Sequence, residues 1–143
     1  MSNKSERRDP AYLREQGQKQ ARGPKQRNIT FSFSKHIHTQ GQTLENWDNE
    51  GLLIKLITQI KFVGQYTALQ ARQNNYVKEY TKVEFPPDSE FKEPKHITGI
   101  VWAVMHITTN SKEVIAGYIE DDVFQIIFLD KEHKFWPSTL KNT

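Results

Sequence analysis

The sequence contains no cysteine. That absence removes disulfides, thiolate nucleophiles, cysteine-ligated zinc and iron–sulfur clusters together. No apolar run approaches the roughly 18 residues that cross a bilayer, so a membrane-spanning helix is excluded. The N-terminus is basic but has no apolar h-region, which argues against a secretory signal. There is no glycine-rich phosphate loop, internal repeat, coiled-coil heptad or serine-centred nucleophile motif. Arginine is scarce too: beyond residue 28 only Arg72 remains. A soluble, cytoplasmic protein is expected, and a length of 143 residues favours one folded domain.

What is present is unevenly spread. Residues 1–28 carry eight basic side chains (Lys4, Arg7, Arg8, Arg14, Lys19, Arg22, Lys25, Arg27) against three acidic ones (Glu6, Asp9, Glu15), a formal charge of +5. Residues 29–143 hold the other twelve basic and fourteen acidic groups, a charge of −2. The first segment has only Met1, Ala11, Tyr12, Leu13 and Ala21 as apolar residues. So little apolar surface cannot offset the entropy of ordering, and 1–28 is expected to be a disordered basic tail ahead of one domain at 29–143. A flexible basic arm suits RNA or DNA phosphates, because neutralising them releases counterions. Arg7, Arg8, Arg14, Lys19, Arg22, Lys25 and Arg27 are therefore candidate nucleic-acid-binding residues. The blander reading is a solubilising leader with no specific partner.

From Ile29 the pattern turns to period two. Ile29, Phe31, Phe33 and Ile37 share one face, with Thr30, Ser32, Ser34, His36 and His38 on the other and Lys35 the exception on the apolar side. This predicts a half-buried strand near a sheet edge. After Gln40–Thr43, Asn46 or Asp48 is expected to cap a helix running to about Val63, on a stripe of Leu52, Leu53, Leu56, Ile57, Ile60 and Val63, with Gly64 as its stop. A more polar helical stretch covers roughly Thr67 to Gln73. Tyr76, Val77, Tyr80 and Val83 fit helix or strand equally, and Pro86, Pro87 and Pro94 make Phe85–Lys95 a loop. Ile100–Ile107, Glu113–Ile119 and Val123–Leu129 then read as strands, joined by turns at Asn110-Ser111 and Glu120–Asp122. Connections this short make them an antiparallel meander, to which the first strand adds. The predicted class is α+β: an antiparallel sheet packed against one or two helices, without Rossmann-type crossovers.

The densest polar cluster follows the last strand: Asp130, Lys131, Glu132, His133 and Lys134, then Phe135, Trp136 and Pro137. Polar groups where a central strand ends are held firmly yet reach solvent. As a catalytic set, His133 is the general acid or base, Lys131 and Lys134 stabilise a phosphoryl oxyanion, and Asp130 orients the imidazole. Trp136 offers a surface on which a base can stack. The structural alternative makes Asp130 and Glu132 a tight turn, leaves the lysines solvated, and returns Phe135 and Trp136 to the core. His36 and His38 have a spacing able to chelate a metal ion, but two alternating histidines more often simply face solvent. His106 reads as a hydrogen-bonded core histidine. The acidic turn Glu120–Asp122 lacks EF-hand spacing. No metal site and no cofactor are expected.

Two resemblances accompany this reading. The order strand, helical hairpin and antiparallel meander, ending in Glu113–Ile119, Glu120–Asp122, Val123–Leu129 and His133-Lys134, resembles the RelE/ParE/HigB superfamily of toxin–antitoxin toxins. The chain is also similar to small uncharacterised bacterial proteins with an early Phe31-Ser32-Phe33 strand. Their late signature is met here by Gly117, Asp122, Phe124, Ile126, Ile127, Leu129, Asp130, His133 and Pro137. The first resemblance implies a bacterial or mobile-element toxin acting on RNA or the ribosome, with metal-independent RNA cleavage and a protein partner such as an antitoxin, and no membrane. RelE-like ribonucleases usually line their sheet with Arg and Lys, whereas this body has one Arg, which would move RNA attraction to the tail. The alternative is a non-enzymatic module that binds nucleic acid or protein through the basic arm and the β-domain surface.

Overall fold

The computed structural model describes residues 27–137. The basic residues Arg7, Arg8, Arg14, Lys19, Arg22 and Lys25 lie outside the described residues, and so does the expectation of a disordered tail; Arg27 is described and exposed. In chain order the elements are β1 (Thr30–Ser32), α1 (Leu44–Asn49), α2 (Leu52–Val63), α3 (Ala68–Gln73), β2 (Lys78–Glu79), β3 (Ala103–His106), β4 (Val114–Glu120) and β5 (Val123–Asp130). The class is α+β, with five strands in the spatial order β1-β5-β4-β3-β2.

The late strands form the antiparallel meander expected, but the sheet as a whole is mixed. β1 pairs with β5 in parallel, Phe31 opposite Phe124. Three helices, a long loop and the strands β2–β4 separate the two strands, so the chain is free to return and run in the same direction. The first strand is also shorter than its alternation implied. It ends at Ser32, and the His36 N–H turns back onto the Phe33 carbonyl at 3.0 Å. Lys35, the exception in the pattern, sits in that turn. Beyond it the segment runs along β5 without being a strand: the Ile37 N–H reaches the Ile127 carbonyl at 2.8 Å and the Gln42 N–H the Leu129 carbonyl at 3.0 Å. Both β5 carbonyls are thereby satisfied rather than left as an open edge.

The single helix expected from Asn46 or Asp48 to Val63 is two. Thr43 caps α1 by accepting from the Asn46 N–H, and Gly51, at φ 72°, breaks the run before α2. That left-handed conformation is cheap for glycine, so the chain changes direction there. Gly64 closes α2 as expected, and Thr67 with Gln70 builds a capping box on α3. The undecided stretch 74–96 contains only the two-residue β2; most of the rest is loop.

The sheet is covered on both faces. The helices bury Trp47, Leu56 and Val63 against Met105, Ile115, Phe124 and Ile126. The other face packs Trp102, Ile127 and Phe128 beneath Phe91, Ile97 and Phe135 from the loop and the C-terminal turn. A bulge lets β5 serve both. Ala116 faces Phe128 while Gly117 faces Ile126, so Ile127 is the extra residue and Ile127 and Phe128 both join the aromatic side. Gly117 permits the close approach, since a Cβ there would sit 1.8 Å from the Gln125 carbonyl oxygen. Asp121 and Asp122, both with positive φ, form the two-residue turn between β4 and β5. Among the described residues no helix is long and apolar enough to cross a membrane.

Candidate functional site

Register places the site. His106 pairs with Val114, and Val114 in turn pairs with Asp130, so the end of β3 and the end of β5 lie in one row across the sheet. The polar cluster singled out in the sequence occupies this row and the single turn of chain that follows it.

Asp130 is buried, and its two carboxylate oxygens accept the Lys134 N–H at 2.9 Å and the Phe135 N–H at 2.7 Å. Burial pushes its carboxyl up from the ordinary carboxylate value. The hydrogen bonds from Lys134 and Phe135, and then the nearby His133, pull the other way without cancelling that effect. Two further contacts fix the turn: the Lys131 N–H donates to Gln42 Oε1 at 2.7 Å, and the Glu90 N–H to the Lys134 carbonyl at 3.0 Å. Gln42 Oε1 also accepts from the Trp47 indole at 3.0 Å, which joins the turn to α1. In the middle His133 is held at φ 58°, a conformation uncommon for a non-glycine residue.

The described geometry brings some candidates together and turns others aside. His133 meets His106, with ring centroids 5.3 Å apart. His106 is exposed at the end of its strand, not in the core as its neighbours suggested, although it is hydrogen-bonded. Its Nδ1 lies 2.9 Å from the Ser111 carbonyl. A carbonyl only accepts, so Nδ1 carries the hydrogen in that contact. His133 Nδ1 is buried without a hydrogen-bond partner. Lys131 pairs with Glu50, whose carboxyl it pulls below the ordinary value, and Lys134 lies 3.8 Å from Glu90. Their charges face acidic partners. Trp136 stacks on Tyr80 with centroids 4.3 Å apart and planes 9° from parallel. The Tyr80 hydroxyl is buried without a partner, and burial followed by the Asp130 charge raises its pKa.

His36 is half-buried beyond the end of β1, His38 is exposed, and no cluster of three metal-ligating side chains exists among the described residues. His36 instead lines an open cleft of about 550 Å³ with His96, Tyr118 and Glu120, into which Lys35 also reaches. Lys35 donates to the Tyr118 hydroxyl at 2.9 Å and lies 3.6 Å from Glu120. Sequence reasoning missed this group and the His106–His133 pair. The break of alternation at Lys35 was the only signal for the first; the second depends on strand register.

No family model, curated protein or solved structure matches this chain.

Proposed function

We propose that this chain is a toxin-like protein acting on RNA or the ribosome, and that it cleaves RNA with the His106–His133 pair. The observation that carries the reading is the meeting of these two imidazoles, centroids 5.3 Å apart, His106 at the end of β3 and His133 on a turn fixed by a buried carboxylate. Two imidazoles can divide the proton transfers of phosphodiester cleavage without a metal ion. His106 is the general base that takes the proton of a ribose 2′-hydroxyl as its oxygen attacks the adjacent phosphorus. The bond from phosphorus to the departing 5′-oxygen breaks, and His133, as the general acid, supplies a proton to that oxygen. The products are a 2′,3′-cyclic phosphate and a 5′-hydroxyl. Asp130 acts through the backbone by fixing the turn. Lys131 and Lys134, already paired with Glu50 and Glu90, contribute little direct phosphate stabilisation, and attraction for RNA rests chiefly on the basic residues of 1–28.

In this reading the protein works in the cytoplasm of a bacterium or from a mobile element, with an antitoxin-like protein as its restraint. The test is induced expression of the wild type beside His133→Ala and His106→Ala, followed by total-RNA integrity and end-group analysis. Cleavage by the wild type alone, leaving cyclic phosphates, is expected; intact RNA from all three would sink the proposal.

A second reading is favoured by a different observation. Ile54, Ile57 and Leu69, at 66%, 50% and 54% exposure, present apolar side chains on the helices. Such a surface suits a non-enzymatic module that docks a protein, with the basic arm holding nucleic acid. Deleting residues 1–28 would then weaken nucleic-acid binding and flatten its salt dependence, while His133→Ala would change neither.

A further inference from the structure

We infer that Trp136 and the β2 edge form a subsite for one unstacked base of a single-stranded nucleic acid, with its two flanking phosphates held by Lys78 and Lys82. This rests on the function proposed above only in taking nucleic acid as the ligand. Trp136 is partly exposed, while its partner Tyr80 is 7% exposed and fixed beneath it by their stacking and by the Tyr80 N–H bond of 2.8 Å to the Trp102 carbonyl. The indole is therefore a braced platform rather than a mobile side chain. It borders an open pocket of about 570 Å³, roomy enough for a nucleobase, together with Lys78, Thr81, Lys82 and Val83.

Charge at this pocket has one sign to spare. Lys78 and Lys82 are exposed, and the single acidic lining residue, Glu79, faces Arg72 at 3.5 Å. Lys78 Nζ lies 5.8 Å from the Tyr80 ring centroid, which sets a cation beside the aromatic stack. An aromatic face flanked by cations is the arrangement that binds single strands, the base stacking while the backbone phosphates meet the lysines. A duplex keeps its bases stacked inside and cannot use it. RNA and DNA strands share the chemistry of base and phosphate, and comparing the two separates their sources.

The full-length protein is titrated with short single-stranded oligonucleotides, uridine-based with 2′-O-methyl groups and thymidine-based, and with a duplex of equal length. Indole emission and oligonucleotide anisotropy are read together. Trp47 and Trp102 are fully buried, so quenching by a stacked base reports Trp136. Quenching by single strands of either sugar and not by duplex is expected, and anisotropy should show the single strands bound more weakly by Trp136→Ala. Lys78→Gln with Lys82→Gln, both surface changes, should weaken the quenching interaction about tenfold at low salt and lower its salt slope by about 1.4, near 0.7 for each phosphate that no longer meets a lysine. Anisotropy without quenching would overturn the subsite, because binding would then come from other basic residues. Equal quenching by duplex, or no effect of the double lysine change, would overturn it as well. Quenching by a protein that leaves cellular RNA intact would refute RNA cleavage while keeping the subsite; cleavage without quenching would do the reverse.

Discussion

Asp130 serves the turn before it serves any chemistry. Its oxygens hold two backbone N–H groups, and one of them, at Phe135, is buried. Asp130→Ala should therefore cost about 2–4 kcal/mol in denaturant unfolding, with Asp130→Asn between it and the wild type, because an amide supplies one acceptor where two are needed. His133 behaves differently. Its left-handed backbone is one that asparagine tolerates well, so His133→Asn should leave stability within about 1 kcal/mol while removing RNA cleavage. Equal loss of stability and activity would make the residue structural only. His36 gives a pH signature. Burial, the largest influence, lowers its pKa from the ordinary histidine value of 6.5, so the unfolded chain binds the proton more readily. Its contribution to stability is complete above 6.5 and is lost as pH falls toward the lowered folded value. Thermal melts from about pH 7.5 to pH 5.5 should show that loss shrinking in His36→Gln. The place of Asp130 and His133 at the end of the last strand was legible in the sequence, because a long apolar run precedes them. The pairing of His133 with His106 was not, since it arises only when two registers align them across β4.

Among the elements, β4 and β5 were the most legible. Long runs of β-branched and aromatic residues with a two-residue acidic turn between them leave few alternatives to a hairpin. Boundaries failed where backbone chemistry outweighed side-chain pattern. Alternation continued past Ser32 while the chain had already turned, so Ile37 packs against the aromatic face instead of joining Phe31 and Phe33 on the helical side. The stripe from Leu52 to Val63 marked α2 correctly, yet nothing in the apolar pattern announced the left-handed Gly51 that separates it from α1. The direction of β1 was illegible for a different reason: alternation identifies a strand's face, not the sense in which it runs. The bulge supplies the sharpest test at this scale. A methyl group at Gly117 collides with the Gln125 backbone, which cannot swing aside as a flexible side chain would. Gly117→Ala should lower stability by about 2–4 kcal/mol and weaken amide protection in both β4 and β5; a neutral change would refute the role given to this glycine.

Across the whole molecule, charge and chemistry are separated along the chain. Residues 1–28 carry a formal +5 and residues 29–143 a formal −2, while the imidazole pair and the aromatic pocket sit on the acidic body. The basic segment would supply sequence-independent attraction to nucleic acid, leaving the body to position the cleaved bond. Deleting 1–28 should weaken RNA binding most at low salt and reduce the salt slope. Whether His106 and His133 together cleave RNA is decided by induced expression of the wild type beside His133→Asn, with RNA end groups read out. Growth arrest and 2′,3′-cyclic phosphate ends are expected for the wild type, with neither for a variant of unchanged melting temperature. Intact RNA from both proteins, or equal cleavage by both, would contradict a catalytic imidazole pair.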